Sequence, residues 1–375
     1  VGSARLAALH RSSIEAAVYT SPIERVIDFA IGGFLWGFRL VVVLVVVVGS
    51  ILTLTGAQFS GEIWIRLVTD GLTLGSVYAL IALGYTMVYG ILRMINFAHG
   101  EIFMSGAFGG YFAATFLNGA GLLNGGPLLT FLSIGIMIVV AMAVSATLAL
   151  LVERVAYRPL RNAPRLVPLI TAIGASFFLQ YSFRGFLGPG IYAYPSVPLL
   201  EEDLVPGIIQ LRVIDVLVVG ATILMMLGLY LFVTRTKVGT AMRAVSEDMA
   251  TASLMGIDVD RIIVTTFGIG AMMAGAAGVL YGLMFTQVFF FTGFIPGLKA
   301  FTAAVLGGIG NIPGAMLGGL FLGLTESIGP ILFLSGLNVP SPNQLKDVIA
   351  FTMLVLILIF RPSGILGERL AAKRA

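Results

Sequence analysis

Apolar residues in this chain run in long unbroken blocks rather than in alternation or in narrow helical stripes. The clearest blocks occupy 65–91, 97–117, 128–152, 167–187, 213–233 and 262–285, with an earlier one from Phe34 to Leu54 and a short last one at 346–360. An α-helix needs about 20 apolar residues to cross a hydrocarbon core, and most of these blocks meet that length. A membrane β-barrel would instead show short alternating segments.

Polar positions between the blocks set an orientation. Residues 153–165 carry Arg154, Arg158, Arg161 and Arg165; residues 234–261 carry Arg235, Lys237, Arg243 and Arg261; the last fifteen residues carry Arg361, Arg369, Lys373 and Arg374. Loops rich in Lys and Arg stay cytoplasmic. The loop 188–212, with four prolines and the acidic Glu201, Glu202 and Asp203, is expected outside. Parity then requires the stretch 299–335 to enter the membrane and return. It is interrupted at Gly310-Asn311-Ile312-Pro313-Gly314, where two short spans or re-entrant half-helices fit and one straight helix does not. The spacing Gly310, Gly314, Gly318 suits close helix packing, and a broken backbone there also suits the lining of a path. The fold class expected is therefore an all-α polytopic membrane protein, with about eight transmembrane helices and a pair of short or re-entrant helices.

The valine-rich run 41–48 opens a choice between a signal-peptide core and a retained helix. It begins late and is long for a signal peptide, which favours the retained helix. In lipid every backbone group must bond within its own segment, so even valine is held helical.

Composition agrees with a membrane location: 58% of residues are hydrophobic and only 11% charged, and mean hydropathy is +1.03. Soluble domains carry about 25% charged residues. The net charge of +4 reflects the basic loops, and no basic run with interleaved aromatics points to nucleic acid. Cysteine is absent and there are two histidines, which excludes a disulfide framework and leaves little for a metal site. No lysine precedes Ser or Thr, so a phosphate-binding GxxxxGK[ST] loop is excluded. No nucleophile–base set stands out either. The chain reads as a non-enzyme without a cofactor of its own; any ATP would be used by another polypeptide.

Three segments carry the candidate chemistry. In 71–114, GLTLGSVYALIALGYTMVYGILRMINFAHGEIFMSGAFGGYFAA, an apolar run ends in Arg93, Asn96, His99 and Glu101. Either Asn96 caps the next helix, with Glu101 near its positive end and His99 a satisfied hydrogen-bonding residue, or these groups meet a substrate. Parity places this turn at the cytoplasmic edge, which favours the capping role. Nearer the midplane are Tyr85, Thr86, Thr302, Glu326 and the Gly310–Gly314 break, including Asn311. Glu326, in an apolar run, either faces a substrate ammonium or lies near the external helix end in contact with water. In the second segment, 238–262, residues 241–255 have helical periodicity with Met242, Val245, Met249, Ala252 and Met255 on one face; Gly256 then stops the helix. Such a helix packs on its own bundle or in a partner's groove. The third segment is LKAFTAAVLGGIGNIPGAMLGGLFLG at 298–323.

Together with SEDMATASLMGIDVDR (246–261) and RPSGILG (361–367), these segments, in this order, resemble the branched-chain amino acid ABC permease family over roughly 65–367. The resemblance implies the permease of a high-affinity leucine, isoleucine and valine importer in a bacterial inner membrane. It implies a second homologous permease, two ATP-hydrolysing subunits and a periplasmic solute-binding protein as partners. It also implies that Arg243, Glu247, Asp248, Ala252, Gly256 and Ile257 belong to a loop that couples to the ATPase. Tyr85, Thr86, Asn96, His99, Glu101, Thr302, Gly310, Asn311 and Glu326 are the candidate residues of the translocation path. A urea or amide importer is the alternative within the family, and a self-sufficient channel or ion-coupled carrier the alternative outside it. The organisation expected is an N-terminal extension over 1–60 with one additional helix, a permease domain over 61–367 and a cytoplasmic tail over 368–375.

Overall fold

The computed structural model describes residues 22–56, 59–161, 163–164, 166–204, 211–361 and 363–366. The expected tail 368–375 lies outside the described residues. The chain divides into two compact units, Val1–Gln58 with Ile331–Pro342, and Phe59–Pro330 with Asn343–Ala375.

In the first unit, α1 (Pro22–Thr55) contains the valine-rich run, and its apolar portion begins at Phe29, earlier than the hydrophobic block alone suggests. Its Phe29, Phe34, Leu40 and Leu44 are exposed, as suits a helix bathed in hydrocarbon. The short turn Ser335–Leu337 packs on its far end, where the Gly336 N–H donates to Thr53 Oγ1 at 2.8 Å.

The second unit holds α2 (Gly61–Leu92), α3 (His99–Gly119), α4 (Pro127–Val152), α5 (Leu166–Leu187), α6 (Pro198–Glu201), α7 (Val213–Arg235), α8 (Lys237–Glu247), α9 (Met249–Leu254), α10 (Val259–Phe285), α11 (Phe294–Gly307), most of α12 (Ile312–Leu334) and α13 (Lys346–Phe360). Among the described residues of the whole chain, eight helices are long and apolar enough to cross a membrane. α3 is not one of them, although it is 21 residues long. Its Gly- and Ala-rich surface is enclosed by α4 and α10, with α11 and α2 beside them, and Ile102, Phe103, Met104 and Phe108 are buried in the core they form. A helix shielded from lipid gains more from close packing by small residues than from hydrophobicity.

α3 begins well short of the end of α2. Arg93, at φ 53, ends α2 with its N–H on the Tyr89 carbonyl, and residues 93–98 then run back without helix. His99 packs against Gly84, eight residues before the end of α2. At 1.5 Å per residue that places His99 about 12 Å in from Leu92. Measured along α2, the turn therefore dips inward from the end of that helix rather than lying level with it. Charge bias locates loops but does not measure the depth at which a helix restarts.

A second interruption lies opposite. After α10, strand β2 (Gln287–Val288) pairs antiparallel with β1 (Tyr192–Ala193), with Tyr192 facing Val288. Tyr194 then donates its hydroxyl to the Ala107 carbonyl and ties this loop to α3. The chain re-enters through 289–293, and α11 runs from beside Gly100 towards the Arg-rich side, antiparallel to α3.

α11 and α12 form an antiparallel hairpin, Gly307 against Gly314 and Ala303 against Gly318, so the chain does enter and return. The pair is unequal: α11 has 14 residues, α12 has 23. The break, Gly308 to Asn311, lies at the hairpin's end rather than mid-layer. There the segment after α13 closes over it, with Ile365 N–H on the Leu306 carbonyl at 2.8 Å and Leu366 N–H on the Gly307 carbonyl at 3.1 Å.

The Arg-rich side is tied by ion pairs. Arg161 bridges Glu153 and Asp260, and Arg158 reaches Asp260 at 3.0 Å. The single helix expected over 241–255 is two. Asp248 breaks it and caps α9, accepting from Thr251 Oγ1 at 2.5 Å and Ala250 N–H at 2.9 Å. A short carboxylate competing for backbone N–H groups ends one helix and starts the next.

Candidate functional site

Where the two interruptions meet, the backbones cross closely. A Cβ on Gly100 would stand 2.6 Å from the Gly293 carbonyl oxygen, and one on Gly297 would stand 2.8 Å from the Gly100 Cα. Only glycine permits this crossing, and it brings the first turns of α3 and α11 together about one-quarter of the way along α2 from Leu92. Helix N-termini carry partial positive charge, so two of them converge on one place inside the layer.

A cavity of about 230 Å³ opens at this junction. Its walls are Tyr85 from α2, Phe97 from the turn, Gly100 and Glu101 from α3, and Ile173, Ser176 and Phe177 from α5. Gly293, Phe294, Gly297 and Leu298 close it from the start of α11. The lining is mostly apolar, with few polar groups, the usual make-up of a small-molecule site.

Those polar groups are specifically held. Glu101 is 1% exposed; its Oε1 accepts from Gln180 Nε2 at 2.6 Å and from Ser176 Oγ at 3.2 Å. Its Oε2 is buried and has no partner among the described residues. Tyr85 Oη lies at the glycine crossing, and its ring stacks edge-on with His99 at 4.7 Å and with Phe301 at 6.0 Å. Buried polar atoms without partners gather around this junction: Thr86 Oγ1, Asn96 Nδ2, His99 Nε2 and Glu101 Oε2. Unpaired buried groups are costly in a membrane interior, so their clustering marks a place kept for something other than packing.

Of the candidate path residues, the structure brings Tyr85 and Glu101 into the cavity wall. His99 lies behind Tyr85, its ring packed edge-on against the tyrosine and over Gly84. Asn96 does not cap α3; the cap position is Ala98, without a side-chain bond, and Asn96 Oδ1 accepts from Tyr157 at 2.5 Å. Thr86 is buried in α2. Thr302 is buried in α11 and returns its hydroxyl to the Leu298 carbonyl at 3.0 Å. Gly310 is exposed in the hairpin turn at φ 98. Asn311 caps α12 through Gly314 N–H at 2.9 Å and donates to the Leu366 carbonyl at 3.0 Å, away from the cavity.

Glu326 is neither water-exposed nor facing the cavity. It is 3% exposed, with Oε1 on Lys299 Nζ at 2.6 Å and Oε2 accepting from Tyr78 Oη at 3.0 Å. Lys299 also reaches Asp347 at 2.6 Å. Sequence reasoning weighed Glu326 and passed over Lys299, the one cation at the start of the same apolar stretch. It likewise passed over Ser176 and Gln180. Their i, i+4 spacing in an otherwise apolar helix was the available signal, because it puts both on one face.

In the 238–262 segment, Met242, Val245 and Ala252 are buried while Arg243, Glu247, Asp248 and Gly256 are exposed, and Ile257 is half-buried. The hydrogen bonds from Thr251 hold the Asp248 carboxyl below its usual range. Gly256, at φ 84, ends α9, and the Ile257 N–H reaches back to the Ala252 carbonyl at 3.1 Å. Met255, expected on the packed face, is 79% exposed beside Leu254 at 88%. The break at Asp248 rotates the second half away from the face the first half buries. Arg93 binds this segment to the re-entrant turn, donating to the Ser246 carbonyl at 3.1 Å.

Residues 67–358 match the family described as branched-chain amino acid transport system / permease component. The chain is 45% identical over 309 residues to the high-affinity branched-chain amino acid transport system permease protein BraD of Pseudomonas aeruginosa, covering 81% of this chain and 96% of that protein. It is 44% identical over 305 residues to the corresponding permease protein LivH of Escherichia coli, covering 80% and 94%. A shorter likeness, 30% over 149 residues, links it to the probable branched-chain amino acid transport permease protein LivM of Methanocaldococcus jannaschii, covering 37% and 43%. The bundle, its inward-dipping junction and these likenesses together make the chain a multi-pass membrane protein that belongs to the family of branched-chain amino acid transport system permease components.

Proposed function

We propose that the chain is the membrane-spanning subunit of an ATP-driven importer of branched-chain amino acids in a bacterial inner membrane, and that the junction cavity lies on its translocation path. The cavity carries this reading. Its Phe97, Ile173, Phe177, Phe294 and Leu298 walls suit an aliphatic side chain better than the polar faces of urea. Its volume lies below the roughly 300–1,000 Å³ typical of drug-sized ligand sites, which suits a small solute. An ion-coupled carrier would need a carboxylate free to take up a cation near mid-layer. Glu326 is not that group, because Lys299 already holds it, and Glu101, whose second oxygen is spare, lies beside an apolar wall that suits an amino acid better than a bare cation.

The partners in this proposal are a second, related permease, two ATPase subunits that use the ATP, and a periplasmic solute-binding protein. The likeness to a protein named LivM supports a homologous pair. The exposed Leu254–Met255 tip, set by Gly256 and joined to the junction through Arg93, supports docking of an ATPase on α8 and α9.

The test uses the absence of cysteine from this chain. In cells carrying the whole transport system, Ile173→Cys transports leucine until it is alkylated by a bulky maleimide, and uptake then stops. The cysteine-free chain is unaffected by the same treatment. Undiminished leucine uptake by fully alkylated Ile173→Cys would remove the cavity from the path.

A further inference from the structure

Two polar side chains of the cavity wall sit at the glycine crossing. Tyr85 Oη lies against it, 3.6 Å from where a Cβ on Gly297 would stand beside Gly100, and a phenol hydroxyl can donate as well as accept. Glu101, the residue after Gly100, has Oε1 held by Gln180 and Ser176 and Oε2 without a partner. Tyr85 and Glu101 both line the cavity, with Ser176 the other polar side chain among mostly apolar neighbours; Oε2 itself is enclosed just behind the wall, so a ligand meets it when the Glu101 side chain turns outward. The first turns of α3 and α11 add positive potential near the Tyr85 hydroxyl.

We infer that Glu101 and Tyr85 form a clamp for the zwitterionic end of the transported amino acid. Glu101 Oε2 takes the α-ammonium, the Tyr85 hydroxyl donates to the α-carboxylate, and the aliphatic side chain lies against Phe177, Phe294 and Leu298, with the partly exposed Ile173 at the rim outside the contact. Gln180 and Ser176 are positioning residues: they hold Oε1 so that Oε2 is the oxygen left for the ligand. The inference rests on the reading of the cavity as part of the path, and it goes further by assigning what each group recognises. A path that only excluded water and passed apolar side chains would need neither Glu101 nor its two donors. A carboxylate in such a wall is retained at a cost, and a ligand ammonium is a partner that offsets it.

The experiment measures how fast Ile173→Cys is alkylated in the full-length chain in membranes, with and without added small molecules. L-Leucine slows alkylation. 4-Methylpentanoate, which lacks the ammonium, and isopentylamine, which lacks the carboxylate, do not at equal concentration. In Ile173→Cys with Glu101→Gln, the leucine concentration giving half-protection rises about tenfold or more, as expected for a lost hydrogen bond between charged groups. In Ile173→Cys with Tyr85→Phe it rises less, because the helix ends still attract the carboxylate. Circular dichroism and the alkylation rate without ligand show that each variant keeps its fold. Equal protection by leucine with and without Glu101→Gln would overturn the clamp and leave the path standing. Protection by 4-methylpentanoate as strong as by leucine would overturn it too. Absence of protection by leucine in Ile173→Cys alone, with uptake surviving alkylation, would overturn the path reading itself.

Discussion

Two carboxylates buried in the same bundle, Glu326 and Glu101, are held in opposite ways. Glu326 meets a full cation: Lys299 bridges it to Asp347, and the Tyr78 hydroxyl satisfies its second oxygen. Glu101 meets only neutral donors, both on one oxygen, in the wall of a cavity. A carboxylate with a built-in counter-ion has nothing left to offer a ligand, and its partner cannot leave without stranding a charge. A carboxylate with a spare oxygen beside a cavity can exchange partners as a substrate passes. The difference separates what holds α11, α12 and α13 together from what is available to bind.

The largest effect expected falls on the paired site. Lys299→Met leaves Glu326 buried without its cation, a loss of about 3–5 kcal/mol. Folded yield in membranes and the unfolding temperature of the purified chain fall together. Replacing both, Lys299→Met with Glu326→Met, restores most of the yield, since a buried ion pair is often matched by an apolar pair of similar size. If Lys299→Met alone folded normally but failed in uptake, the pair would belong to transport and the contrast with Glu101 would collapse.

A smaller loss is expected at the helix crossing beside Glu101. Gly100→Ala forces a Cβ to within 2.6 Å of the Gly293 carbonyl, and overpacking of this kind costs about 1–3 kcal/mol. Because the crossing shapes the cavity, leucine uptake falls further than folded yield. Uptake and yield falling in step would make the crossing a matter of packing alone.

The smallest change in stability, with uptake nonetheless lost, is expected far from both carboxylates. Gly256→Trp strains an exposed left-handed residue, costing about 1–2 kcal/mol locally, and has no neighbouring atoms to displace. The chain inserts and folds, leucine uptake is lost, and leucine still protects Ile173→Cys from alkylation. Loss of that protection in Gly256→Trp would mean that the α8–α9 segment shapes the cavity directly instead of transmitting ATPase action to it.

Long apolar blocks were enough to name the helices, because the hydrocarbon layer demands complete internal hydrogen bonding and leaves few other solutions. The same logic made 299–335 turn back on itself, as the α11–α12 hairpin does. Where two elements must agree in depth or contact, one-dimensional pattern was weaker. Asn96 has the residue type of a cap, but Tyr157, sixty-one positions away, takes its side chain. Glu326 looked lone until the hairpin brought Lys299 to it across twenty-seven positions. The periodicity of 241–255 was real, yet one Asp at 248 was sufficient to break the helix and swing Met255 outward.

By itself, then, the amino-acid sequence determined that this chain is a helical membrane protein, where most of its helices fall, and the family to which its motifs belong. Those properties follow from local hydrophobicity and from short runs of residues. Only the tertiary structure decided that α3 and α11 start short of the end of α2 with their first turns touching, that Glu326 is neutralised and that Glu101 keeps an unpartnered oxygen beside a cavity. Depth, pairing and the vacancy of one carboxylate oxygen depend on which distant residues meet, and packing between helices settles that rather than any single segment.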